Sequence, residues 1–209
     1  MICIFAKDPE RAKRRLAPLL AEAGAVALAA AFLDDVRALV GAPHHLWADG
    51  AVPPPVHAQQ VGADLGARML HTLESELGAG ARAVVIVGTD APTLPRAMIS
   101  EALAQLEAGG CDLALGPAAD GGYYLIGATA AGVRADLFTD IPWSTERVCR
   151  VTLARALAAR LRVHLLPWWY DVDTPSDLAL LEAHLPLLPQ AVAPATRSFL
   201  ARWPGSRLK

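Results

Sequence analysis

Cysteine is scarce in this chain. Cys3, Cys111 and Cys149 are far apart and belong to no Cys-x-x-Cys or Cys/His cluster. Neither a disulfide framework nor a zinc site with that spacing is expected, and the three read as small buried hydrophobes. An excess of charge is also lacking. Lys and Arg number 19 against 21 Asp and Glu, a formal net charge of −2. A nucleic-acid binder needs a basic surface to neutralise phosphates, and a polybasic membrane-surface protein needs one too, so the balance argues against both classes. Long apolar runs are missing as well. The longest uncharged one, 23–33, has 11 residues between Glu22 and Asp34. That is short of the ~20 residues that cross a bilayer, so no membrane span is expected and the run reads as buried helix. The first residues, Met1-Ile2-Cys3-Ile4-Phe5, are apolar before they are charged. A secretory signal has the opposite order, so a cytoplasmic location is expected. No internal repeat or linker divides the chain. A single domain over 1–209 is expected, with 186–209 as a Pro-rich, basic-ended tail.

Apolar residues are plentiful, at 54% of 209 residues, enough for a real core. Short apolar runs alternate with helical patterns. Strands are expected at 1–5, 44–47, 56–60, 82–87, 112–115, 123–126 and 163–166. Helices are expected at 21–40, 64–77, 96–107, 145–159 and 175–184. This alternation implies an α/β fold with a mainly parallel sheet covered on both faces. Ligands of such sheets bind beyond the carboxyl ends of the strands, so chemistry is expected just after the apolar runs.

Four segments lie there. Lys7, Arg11, Lys13, Arg14 and Arg15 follow the first strand, five cations within nine residues. Such a loop suits a polyphosphate. Asp90 follows the most apolar strand, in Gly88-Thr89-Asp90-Ala91-Pro92, and a carboxylate held there suits a hard cation such as Mg²⁺. Asp120-Gly121-Gly122-Tyr123-Tyr124 is a turn between strands whose glycines admit a ligand to the backbone. Alternation turns only one of its tyrosines toward a pocket. In Asp171-Val172-Asp173-Thr174-Pro175, Thr174, Pro175 and Asp177 specify a helix start. Asp171 and Asp173 are left on one side of an extended segment, costly unless a cation joins them. Two weaker signals remain. Gln60 and the glycines near Asp64 could read a nucleobase edge, with Asp64 as a helix cap, and Ser144 or Thr145 could cap the next helix.

As a set, these motifs resemble the bacterial rSAM/selenodomain-associated transferases. The residues that carry the likeness are Phe5-Ala6-Lys7, Lys13 with Arg15-Leu16, Asp64-Leu65-Gly66 with Arg68-Met69, Gly88-Thr89-Asp90, Asp120-Gly121-Gly122-Tyr123, Trp143-Ser144-Thr145 and Asp171-Val172-Asp173-Thr174-Pro175. The match covers about 1–185. The family groups with nucleotide-diphospho-sugar transferases and has relatives such as 2-phospho-lactate guanylyltransferase. The resemblance implies a three-layer α/β/α, Rossmann-like GT-A fold. It implies that Lys13 and Arg15 hold a nucleotide's phosphates, with Lys7 and Arg14 beside them. Asp90 and Asp173, with Asp171, would hold Mg²⁺ or Mn²⁺. Gln60 and Gly66 would lie near the base, and Asp120, Gly121, Gly122 and Tyr123 would line the site. The first loop departs from the family pattern. Glu10 stands where a glycine is usual and Arg14 where a threonine is usual. A glycine there would allow positive φ and close phosphate contact.

The activity implied is a Mg²⁺-dependent nucleotidyl transfer, in which a small phosphate or carboxylate acceptor displaces pyrophosphate from a nucleoside triphosphate. A glycosyltransferase with a nucleotide-sugar donor is the close alternative, and a non-catalytic nucleotide-binding module is the distant one. The partners implied are a nucleotide and a small-molecule acceptor.

Overall fold

Strand β1 (Ile2–Lys7) is an interior strand of a seven-stranded sheet. The others, in chain order, are β2 (His45–Asp49), β3 (Ala58–Gln59), β4 (Ala83–Gly88), β5 (Leu113–Pro117), β6 (Tyr123–Thr129) and β7 (Val163–Leu165), in a computed structural model that describes residues 1–205. Their spatial order is β3-β2-β1-β4-β6-β5-β7. All run parallel except β6, which is antiparallel to both β4 and β5. The sequence Ala-Val-Val-Ile-Val in β4 is β-rich and buried on both faces, as a strand covered by helices on each side must be.

Helices α1 (Ala17–Val40), α2 (Leu65–Gly78), α3 (Arg96–Glu107), α4 (Val148–Ala158), α5 (Pro175–His184) and α6 (Pro194–Arg202) complete the chain. The three-layer α/β arrangement expected from the alternation is present. One core, around Ile4, Val85, Leu94 and Leu106, joins α1 and α3 to one face of the sheet. A second, around Val84, Leu73, Leu113 and Phe138, joins α2 to the other. A third, with Leu28, Phe32, Leu181 and Leu200, binds α1 to α5 and α6.

Some elements differ from the pattern-based expectation for physical reasons. Helix α1 starts at Ala17 and bends at Ala21, whose φ of 58° is not helical. At 24 residues α1 is long and apolar enough to cross a membrane by length and composition, but Leu28, Phe32, Leu33 and Val36 are buried in the protein's own core. Helix α4 begins at Val148 rather than 145. Ser144 has a φ of 63°, so the chain cannot enter the helix there, and neither Ser144 nor Thr145 is its N-cap. The caps of two other helices match the reading. Asp64 accepts from the Ala67 N–H, and Thr174 with Asp177 forms a capping box.

The 186–209 tail contains a helix that its sequence does not announce. The residue before α6, Ala193, has no side chain able to cap. Asp35 of α1 does so from across the fold, accepting from the N–H groups of Ala195 and Thr196 at 2.8 Å each and from the Thr196 hydroxyl at 2.5 Å. Replacing Asp35 by Ala leaves those buried donors unsatisfied. Thermal and urea unfolding of Asp35→Ala are expected to show a loss of about 1–3 kcal/mol, with release of α6 visible as earlier proteolysis near residue 190.

Candidate active site

The carboxyl ends of β1, β2 and β4, the β5–β6 turn and the segment after β7 meet at one edge of the sheet. They enclose a cavity of about 580 Å³. Lys7, the 11–15 loop, Asp49, Gly88–Asp90, Asp120, Gly122, Tyr123, Asp171 and Asp173 line it.

Lys13 is the centre of this arrangement. It holds the left-handed conformation, φ 52°, which turns its side chain inward ahead of the short 3-10 turn Arg14–Leu16. Its side chain is 2% exposed. The ammonium lies 5.2 Å from the centroid of the Phe32 ring. It donates to Asp173 at 2.8 Å and to Asp90 by a shorter bond. Burial pulls the Lys13 pKa down, but the charges of Asp90 and Asp173 outweigh it and hold the group above its ordinary value. The two aspartates are brought together by the backbone, because the Val172 N–H donates to the Asp90 carbonyl at 2.9 Å. Val172 is fully buried, so its neighbours Asp171 and Asp173 turn to the opposite side, toward the cavity. The capping box at Thr174 then fixes the exit of the segment into α5.

Asp171 feels this crowding most. Its pKa is pushed up to about 8, first by burial and then by the charges of Asp90, Asp120 and Asp173, with only Lys13 opposing. Three carboxyl groups thus face one buried ammonium. Oxygen donors in such a set fit a hard divalent cation.

The cations of the first loop divide into two groups. Arg11 binds Asp49 at 2.7 Å, and Arg68 binds the other Asp49 oxygen at 2.7 Å. Burial acts to raise the Asp49 pKa, but the bonds and charges of Arg11 and Arg68 prevail and hold it below the usual carboxylate range. This network was missed from sequence, although Asp49 ends a strand as Asp90 nearly does, and the same rule could have found it. Lys7, Arg14 and Arg15 also line the cavity. Their side chains make no hydrogen bond or ion pair among the described residues. They are the groups left to receive anionic oxygens.

The remaining candidates are placed unevenly. Gln60 lines the cavity, but its amide donates to the Ala6 and Trp47 carbonyls at 3.1 and 3.0 Å, which ties β1 to β2. Gly66 is tightly packed. It is buried outside the cavity lining, and a Cβ there would come within 2.2 Å of the Phe138 carbonyl. Gly121 likewise faces away, its φ of 90° and contact with the Glu146 backbone being turn geometry. Asp120 accepts from the Gly122 N–H at 2.8 Å, and both line the cavity. Tyr123 and Tyr124 fall in the cores on opposite faces of the sheet, yet both reach the cavity wall. Glu10 is exposed and outside the lining, within the 3-10 turn Pro9–Arg11, where no positive φ is needed; Lys13 supplies it instead.

A mostly parallel sheet with one reversed strand and an acidic cluster at its carboxyl edge defines a protein of the GT-A-like nucleotidyl and glycosyl transferase fold. The chain belongs to the family described as "Uncharacterized protein conserved in bacteria (DUF2064)", whose profile matches residues 25–145. A candidate nucleotide-diphospho-sugar transferase from Desulfovibrio desulfuricans G20 is similar at 31% identity and TM-score 0.87, over 96% of this chain and 93% of that one. Two more distant structures share the fold. One is 2-C-methyl-D-erythritol 4-phosphate cytidylyltransferase from Thermus thermophilus (17% identity, TM-score 0.54, 90% and 98% covered). The other is CMP:2-keto-3-deoxy-manno-octonic acid synthetase complexed with CTP (13%, 0.52, 90% and 98%). No curated protein matches the sequence.

The Asp171 environment yields a pH signature. Its folded pKa of about 8 exceeds the ordinary 3.8, so the folded chain holds an extra proton between those values. Stability contributed by that proton is present at low pH and is lost as pH rises through the window. In EDTA, Asp171→Asn is expected to melt higher than wild type at pH 8.5, with the difference shrinking toward pH 4. Thermal unfolding across that range checks it.

Proposed function

We propose that this protein is a divalent-cation-dependent nucleotidyltransferase. The observation that supports this reading best is the meeting of Asp90 and Asp173 at Lys13 Nζ, in a cavity that Lys7, Arg14 and Arg15 also line without a partner among the described residues. The carboxylates suit a cation and the free cations suit phosphates.

In this reading Asp90 and Asp173, with Asp171, hold Mg²⁺ or Mn²⁺. The ion would supply charge neutralisation and alignment of the phosphate oxygens. Lys7, Arg14 and Arg15 bind the β- and γ-phosphates and take up charge on the leaving pyrophosphate. Lys13 donates to Asp90 and Asp173 and so bridges the two carboxylates. An oxygen of a small phosphate or carboxylate acceptor bonds to the α-phosphorus, and the bond from that phosphorus to the pyrophosphate oxygen breaks. Such acceptors are already anionic, so no general base is required. The likeness to rSAM/selenodomain-associated transferases, and through them to 2-phospho-lactate guanylyltransferase, favours the same chemistry, in a single domain acting in the cytoplasm. The relative described as a candidate nucleotide-diphospho-sugar transferase favours glycosyl transfer as the second reading. There the same cation site would serve a nucleoside diphosphate leaving group.

Calorimetry with nucleoside triphosphates, nucleotide sugars and the free nucleoside, each with and without Mg²⁺, separates the readings. A triphosphate is expected to bind only with Mg²⁺ and to weaken with salt. Arg15→Ala is exposed and leaves the fold intact. It is expected to weaken triphosphate binding by at least about tenfold, the ~1.5–3 kcal/mol of a charge-assisted bond, and nucleoside binding hardly at all. Preference for a nucleotide sugar over its parent triphosphate would replace the first reading with the second. Equal loss for triphosphate and nucleoside would remove Arg15 from phosphate binding.

A further inference from the structure

Far from the cavity, at the amino end of β2, three side chains from separate parts of the chain converge. His45 opens β2, His57 precedes β3, and Glu76 lies in the last turn of α2. One ligand atom from each falls within 4.8 Å of the other two. The two imidazoles stack, with centroids 3.6 Å apart and planes 7° from parallel. Both point a nitrogen at the same carboxylate oxygen. His45 Nδ1 lies 2.7 Å from Glu76 Oε1, and His57 Nε2 lies 3.9 Å from it. Trp47 Nε1–H donates to that oxygen at 2.9 Å, which fixes the carboxylate from behind. Glu76 is 4% exposed, whereas His57 is 44% exposed and opens the cluster to solvent. Cys3, fully buried on β1, pairs in register with His45.

We infer that His45, His57 and Glu76 form a binding site for a borderline transition-metal ion, Zn²⁺ by preference, separate from the hard-cation site of the cavity. Two imidazoles and one carboxylate are the donor set of a three-ligand zinc site, with the remaining position open to water. Imidazole donors disfavour Mg²⁺, which selects oxygen. Trp47 acts as the outer partner that orients a ligating carboxylate. When the ion binds, the proton on His45 Nδ1 moves to Nε2, and the neutral ring offers its Nδ1 lone pair. The ion would tie β2, the 50–57 loop and α2 together, adding to the His57 N–H bond to the Leu46 carbonyl and the Trp47–His71 ring contact that already join them. Asp49 is at the other end of the five-residue β2, ~13 Å away at ~3.3 Å per residue. The two sites are therefore loaded independently.

The test uses the full chain, stripped with EDTA and titrated with Zn²⁺ in excess Mg²⁺. Co²⁺ serves as the spectroscopic probe, its d–d absorption reporting imidazole ligation. Wild type is expected to bind one Mg²⁺-resistant equivalent of Zn²⁺ and to melt at a higher temperature with it. His57→Ala and the volume-keeping His57→Gln lie on an exposed loop position and fold. Each is expected to lose that equivalent, with affinity down at least about tenfold, the low end of what loss of even an outer partner costs. Asp173→Asn is expected to keep it. No resistant equivalent in wild type, its retention in either His57 variant, or its loss in Asp173→Asn would overturn the assignment.

Discussion

The Lys13 ammonium joins parts of the chain that are 77 and 160 positions away from it, and the cavity is built around that junction. A buried ammonium is costly unless it is paired. Here two carboxylates and an aromatic face meet it. The left-handed backbone at Lys13 costs ~1–2 kcal/mol for a residue with a Cβ, and it persists because the side chain has nowhere else to satisfy its charge. Turning Lys13 inward has a second effect. Arg14 and Arg15 are the next residues in the same tight turn, and they are left on the exposed side of the loop. One backbone conformation thus sorts three adjacent cations into one that organises carboxylates and two that face the cavity's solvent.

The acidic wall is assembled by main chain rather than by side-chain attraction. The Val172 N–H to Asp90 carbonyl bond and the capping box at Thr174 hold Asp90, Asp171 and Asp173 together against their own repulsion. Burial first, and that repulsion second, raise the Asp171 pKa. On the basic side, Asp49 neutralises Arg11 and Arg68, so the number of loop cations overstates what is available to a phosphate.

The sheet, the helices at 96–107 and 175–184, and the caps at Asp64 and Thr174 were legible because they depend on local pattern. So was the position of the cavity, since ligands of parallel sheets lie beyond the strand ends. What escaped reading depends on contacts between distant residues. Helix α6 owes its N-terminus to Asp35, 161 positions from Thr196. That a Cβ at Gly66 or Gly121 would meet the backbone of Phe138 or Glu146 is a contact no local pattern announces. Glu10 stands where a glycine would allow positive φ, but the positive φ belongs to Lys13 three residues on. Gln60, read as a base-contacting group, satisfies two carbonyls between adjacent strands. A sequence states the residue type, and only the fold states which partner uses it.

Strand β2 shows how the two ends of one element acquire different chemistry. At its carboxyl end Asp49 is held by guanidinium groups in a setting of oxygen donors and phosphate-seeking cations. At its amino end His45 stacks on His57 beside a buried carboxylate. Parallel strands place all their carboxyl ends on one edge, so hard-ligand chemistry accumulates there. The opposite edge is free of that demand. Imidazoles can collect at it without competing for the same ion, because an oxygen-donor set and an imidazole set rank metals differently. The spacing 45, 57, 76 has no sequence periodicity. It becomes a cluster because β2, the loop before β3 and the carboxyl end of α2 must all return to the same edge of a three-layer fold.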